Sequence, residues 1–165
     1  MKYILVFIVL SLDVFFAQAQ TTADLQPLNV FRGTWVIFKD ASKKDTVCIT
    51  VCIWSKDHKR LVACQVVRGE KGTSRDTCYY GFDPLNKVFM YSETDGAGNI
   101  FTANEITIKG KTWIYQAPSA SLVRWRTINI FSANSDEITY LSQRSDDNGK
   151  TWNTIKTGKE YKISK

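Results

Sequence analysis

A chain of 165 residues that is 44% hydrophobic and 23% charged has the size and balance of one globular domain, outside the compositions of disordered or fibrous chains. Its net charge of +6 comes from lysines and arginines scattered along the sequence. A nucleic-acid binder gathers such residues on one face among aromatics, so no nucleic-acid partner is expected, and the lysines suit strand edges and turns.

In chain order, residues 1–19 read as a secretory signal. Lys2 gives a positive start, 3–16 is a nearly unbroken apolar run with Asp13 inside it, and Ala17-Gln18-Ala19 has the small-residue cleavage pattern. The run is shorter than the roughly 20 apolar residues a span requires. The mature part, 20–165, is therefore expected to be one domain without a membrane anchor, secreted or periplasmic. Next, within 22–31, Thr22 or Asp24 offers a cap for a short helix that Pro27 limits.

From there the chain is a series of short runs rich in β-branched and aromatic residues. They lie at 34–39, 46–54, 60–68, 77–82, 87–93, 100–108, 112–116, 124–131, 137–144 and 151–163. Turn residues separate them, among them Lys56-Asp57-His58-Lys59, Gly69-Glu70-Lys71-Gly72, Asp83-Pro84-Leu85-Asn86 and Asp146-Asp147-Asn148-Gly149. The connections are too short for crossover helices, so neighbours pair antiparallel. The expected fold is all-β, an up-and-down antiparallel barrel of about 8–10 strands whose closure removes exposed edges.

Cys48, Cys52, Cys64 and Cys78 fit disulfides in an exported protein. Centring the first of those turns on His58 sets Cys52 opposite Cys64, at a separation of roughly 4.5 Å between Cα atoms. Cys52–Cys64 is the expected bridge. A hairpin centred near Lys71 would set Cys78 opposite Cys64 instead. Cys48 and Cys52 lie about 13 Å apart along one strand and cannot join. The spacing lacks the close pairs of a zinc knuckle, so neither a metal nor another cofactor is expected.

Phe31-Arg32-Gly33-Thr34-Trp35 places a G-x-W at the first strand. Cys52-x-Trp54 with Cys64, Gly81-Phe82-Asp83-Pro84 before Lys87-Val88-Phe89, and Asp147-x-Gly149-Lys150-Thr151-Trp152 follow in order. Together, over 28–163, these resemble a family of bacterial exported lipocalin-like, calycin-type barrels, with Phe82 where that family commonly has Tyr. The resemblance implies a barrel with its first Trp at a closed base and, as the habit of the superfamily, ligand binding.

The remaining motifs have plainer readings. Ser145 to Trp152 satisfies the Asp-box pattern of sialidases, but a propeller needs several blades of about 40–50 residues each, so one box is a turn staple. His58, the single histidine, falls at a hairpin tip, away from any wall that would make it catalytic. Most Asp residues fall in turns; Glu93 and Glu105 are the mid-strand carboxylates, and no close pair suggests glycosidase chemistry.

Arg124-Trp125-Arg126 is richer. Arg126 shares a parity with Ile128 and Ile130 and, turned inward, would clamp a carboxylate; alternatively it covers Trp35 by cation–π stacking. With aromatics on nearly every strand, the expectation is a non-enzymatic barrel holding a small, largely apolar ligand, including one with an acidic end, against Trp35, Tyr91, Tyr115 and Arg126. The run 47–53 is apolar on both faces and calls for a cover, either the 22–31 segment or a partner. The alternative function is thus an interaction or structural module that self-associates, as a homo-oligomer, or binds a partner through an apolar outer face.

Overall fold

A computed structural model of the chain describes residues 23–70, 72–94, 98–118 and 121–164. The signal expected at 1–19 lies outside them. Ten strands form: β1 (Gly33–Phe38), β2 (Thr46–Trp54), β3 (Leu61–Gly69), β4 (Gly72–Asp83), β5 (Val88–Thr94), β6 (Ile100–Lys109), β7 (Thr112–Gln116), β8 (Arg124–Phe131), β9 (Glu137–Ser145) and β10 (Asn153–Ser164). Each pairs antiparallel with its neighbours in sequence, and β1 also pairs with β10. The result is a closed up-and-down barrel, as the spacing of turns and strands predicts. β4 begins earlier than its apolar content suggests, because polar residues from Thr73 onward continue the ladder opposite Arg68 and Val67.

Register decides which residues meet inside. The β2–β3 hairpin closes on a Ser55–Arg60 pair, Ser55 N donating to Arg60 O over 2.9 Å, and His58 sits in the left-handed region at φ 54°. That loop is centred half a residue away from His58, so Cys52 pairs with Ala63, and Cys64 with Val51. A shift of one in the partner exchanges the two faces of a strand. The expected Cys52–Cys64 bridge is accordingly not formed: Cys52 is buried inside, Cys64 is exposed outside, and all four cysteines are free thiols. The competing Cys64–Cys78 pairing fails likewise, since Cys78 pairs with Ala63.

A 3-10 helix, Ala23–Phe31, closes one end of the ring. Its Leu25, Leu28 and Phe31 join the core with Trp35, Leu61, Trp113 and Phe131. Phe31 stacks on Tyr80 at 4.8 Å and meets Trp113 and Phe131 edge-on at 5.1 and 5.2 Å. Polar bonds seat this plug in three strands. Trp35 Nε1 donates to Phe31 O (2.7 Å), Trp54 Nε1 to Asn29 Oδ1 (2.9 Å) and Lys162 Nζ to Val30 O (2.7 Å). The first and last of these satisfy groups that the closed end would otherwise strip of water.

The segment expected to cover the outer face of β2 therefore sits inside the base instead. Cys48 and Cys52 face the interior, while Val51 and Ile53 remain 40% and 57% exposed on the outside.

Gly158 marks the tightest point of the wall. It pairs with Tyr140, whose ring lies directly over its Cα, where a Cβ would collide with the ring atoms and hydroxyl. An aromatic side chain thus occupies the space that a strand glycine leaves open. Gly158→Ala is expected to destabilise the fold by about 1–3 kcal/mol, the cost of overpacking. In denaturant melts, adding Tyr140→Ala should recover part of that loss; strictly additive losses would show that the ring is not the obstacle.

Candidate functional site

Above the plug the barrel holds a cavity of about 600 Å³ that, among the described residues, reaches toward the end opposite the 3-10 helix. Its floor is aromatic. Tyr80, Tyr91 and Tyr115 pack against one another with ring centroids 5.1, 5.6 and 6.4 Å apart, beside Trp35. Short side chains, Cys52, Ala63 and Cys78, line the adjoining wall and leave the space that larger residues would fill. Toward the mouth the lining turns polar with Thr50, Gln65, Asn104, Asn129 and Ser142. A second cavity of about 660 Å³ beneath the β1–β2 connection shares Ile37, Gln65, Tyr140 and Lys156 with the first, extending the mouth sideways.

The buried thiols and phenols are held neutral. Burial pushes the Cys52 and Cys78 thiols up to about 12, and raises the hydroxyls of Tyr80, Tyr91 and Tyr115. Protonated thiols are poor nucleophiles, so these cysteines act as small wall residues. Tyr91 Oη reaches Cys78 Sγ at 3.2 Å and Glu93 Oε2 at 3.3 Å. Glu93 is itself raised by burial, with the Asp76 carboxylate adding to the effect. Tyr115 Oη is buried beside Tyr80 and Asn129 yet makes no hydrogen bond of acceptable geometry.

Glu160 is the group that the sequence conceals. It lies on β10 in a run, Lys156-Thr157-Gly158-Lys159-Glu160, that reads as a solvated strand. Pairing with Ile138, it faces the cavity, and burial alone raises its carboxyl to about 7. Its parity with Gly158 and Lys162 was the available signal, but only the register shows that this parity points inward. Of the two mid-strand carboxylates visible in the sequence, Glu93 faces in and Glu105 is exposed.

The four expected ligand contacts divide. Trp35, Tyr91 and Tyr115 come together around the cavity. Arg126 stands at its rim, because β8 turns Thr127, Asn129 and Phe131 inward. The Arg126 guanidinium lies 4.0 Å over the Trp152 ring, and its Nε donates to Gln143 Oε1 at 2.7 Å. Gln143 continues the outer ladder by donating to Thr154 Oγ1 at 3.0 Å. The cation over Trp35 is Lys162, at 4.9 Å. Arg126 thus lines the rim of the cavity, and the base position over Trp35 belongs to Lys162.

The Asp-box hairpin is what holds Trp152 under Arg126. Asp147 accepts from Thr151 N (2.8 Å) and Thr151 Oγ1 (2.6 Å), which holds its carboxyl down at about 2, and Ser145 Oγ accepts from Gly149 N (2.8 Å). Trp152 Nε1 then donates to Gly149 O at 3.0 Å. His58 is exposed at its hairpin tip, and among the described residues no three His, Cys, Asp or Glu side chains gather as a metal-ligand set.

Glu160 gives stability a defined pH dependence. An unfolded glutamate ionises above about 4.3, whereas the folded one keeps its proton to about 7. Between those values the native state binds the extra proton, so stability falls as pH rises through the window. Glu160→Gln should gain on the wild type between about pH 5 and about pH 8, by on the order of 1–3 kcal/mol. Thermal melts at the two pH values check this; parallel changes in both proteins would mean that Glu160 ionises freely. No known protein-family model matches the chain, and none of the curated proteins matches it.

Proposed function

We propose that this protein is an exported, non-enzymatic barrel that binds a small, largely apolar molecule in its interior. The observation that carries this reading is the cavity of about 600 Å³, plugged at one end and floored by aromatic rings. Ligand sites commonly enclose about 300–1,000 Å³ with mostly apolar walls and a few placed polar groups. The likeness of the G-x-W start and the later motifs to exported lipocalin-like barrels supports both the calycin-type reading and the secreted or periplasmic location. Trp35, Tyr91 and Tyr115 are the residues we assign to the ligand. A binding role fits better than catalysis, because the interior thiols are protonated and the single histidine is remote.

A neutral fluorophore such as N-phenyl-1-naphthylamine should bind saturably with increased emission. Gln65→Trp, which fills the passage between mouth and floor, should weaken that binding about tenfold or more, equivalent to roughly 1.4 kcal/mol, with little change in melting temperature. Binding that does not saturate, or that ignores the filled passage, would place the dye elsewhere and remove the reading.

A second reading rests on the outer strip where Ile49, Val51 and Ile53 lie against Val66, Cys64 and Val62. Exposed apolar rows of this kind serve association. On this reading the strip meets a second copy of the chain. Sedimentation would then show a dimer that Ile53→Lys dissociates, and a monomer at high concentration would end it.

A further inference from the structure

We propose that the cavity selects ligands carrying a positively charged amine on an apolar body, with the amine seated between Glu160 and the Tyr115 hydroxyl. This rests on the ligand-binding reading above and gives it a chemical class. It also inverts the acidic end that the sequence suggests for the ligand.

Three observations lead to it. First, Glu160 faces the cavity from β10 without a hydrogen bond or ion pair to any described residue, although Lys162 lies two positions away on the same strand. Lys162 is committed elsewhere: its Nζ donates to Val30 O at the base and lies over Trp35. A carboxyl left alone in such a place is costly, and a cation that fills the space removes the cost by pairing.

Second, Tyr115 is 5% exposed and its Oη has no hydrogen-bond partner, yet it lines the same cavity. Buried hydroxyls are ordinarily satisfied, so this shielded oxygen in the cavity wall, beside Tyr80 and Asn129, gains a partner when a ligand's polar atom reaches it. An ammonium offers three donors in a compact head, enough to serve a carboxylate and a phenol oxygen at once.

Third, the charged groups around the cavity are sorted by depth. Glu160 and Glu93 face its interior, while the cations among the described lining residues, Lys156 and Arg126, stand toward the mouth. Lys156 is exposed, 5.8 Å from the Tyr140 ring, and Arg126 is stacked on Trp152. A ligand carboxylate beside Glu160 would meet like charge, and the nearest inward cation, Lys162, is held at the base by Val30 O and Trp35. An ammonium would meet opposite charge from Glu160 and further negative potential from Glu93.

The pairing is non-covalent and its proton balance is simple. If Glu160 is protonated in the empty barrel, its proton passes to a neutral amine or, when the ammonium binds, to solvent. Either route ends in the same carboxylate–ammonium pair. The other titratable groups that face Glu160 are Tyr115, Tyr140, Cys48 and Cys52, all held neutral by burial, so none of them supplies a competing cation.

Three fluorescent probes with one aromatic body separate the outcomes: dansylcadaverine, which ends in an amine, N-dansyl-6-aminohexanoic acid, which ends in a carboxylate, and the neutral N-pentyl dansylamide. At about pH 8 the amine should bind at least about tenfold more tightly than the acid, a difference of roughly 1.4 kcal/mol. Glu160→Gln should abolish that preference while leaving the neutral probe's affinity unchanged. Tyr115→Phe should reduce the amine's affinity more than the neutral probe's. Equal affinities, or a preference for the acid, would overturn the proposal and leave the cavity reading standing. So would an amine preference that survives in Glu160→Gln. If none of the three probes enters, the cavity reading itself falls and this proposal falls with it.

Discussion

Ten strands closed into one ring oblige every second side chain of the wall to point at a common axis, whatever its chemistry. Eight strands bring those side chains close enough to fill the middle; a wider ring leaves space that something else must occupy. The chain meets this constraint unevenly. At one end the 3-10 helix supplies Leu28 and Phe31 as extra core, and Trp35, Trp113 and Phe131 close around them. Toward the other end, among the described residues, the lining grades from tyrosine rings to amides, hydroxyls and two carboxyls. The cavity is the part of the ring that the plug does not reach.

This gradient has an energetic logic. The base is stabilised by apolar burial and aromatic contact, with its few polar atoms bonded to the plug's backbone and Asn29. Higher up, Glu160 and the Tyr115 hydroxyl are kept where they weaken the empty protein. Local rules of stability are commonly violated at functional sites and offset elsewhere in the fold. Here the offset is the aromatic base and a ladder in which each strand is paired on both sides.

The architecture was readable because its signals are local. Turn residues recur between short β-rich runs, and all ten runs become strands. Trp35, Tyr91 and Tyr115 were readable as candidates because aromatic residues recur on the strands, and the structure sets all three around the cavity. Orientation was not, because it turns on register. Half a residue in the centre of one hairpin separates Cys52 from Cys64 by the whole thickness of the wall. The same parity ambiguity arises on β8, where Thr127 and Asn129 take the inward places and Arg126 lines the rim. Glu160 was invisible because lysines and threonines surround it, and nothing in that composition distinguishes an inward carboxylate from a solvated one.

The seam between β1 and β10 has a bearing on how the barrel comes into being. Every other strand pair joins neighbours in the chain through a short turn, so those hairpins can form one after another as the polypeptide emerges. The seam joins the two ends of the domain, and the bond from Lys162 Nζ to Val30 O spans 132 residues. Closing so large a loop costs entropy that is recovered only when both partners are already ordered. The seam is therefore the pairing with the largest loop-closure cost, and until it forms β1 and β10 each present an open edge.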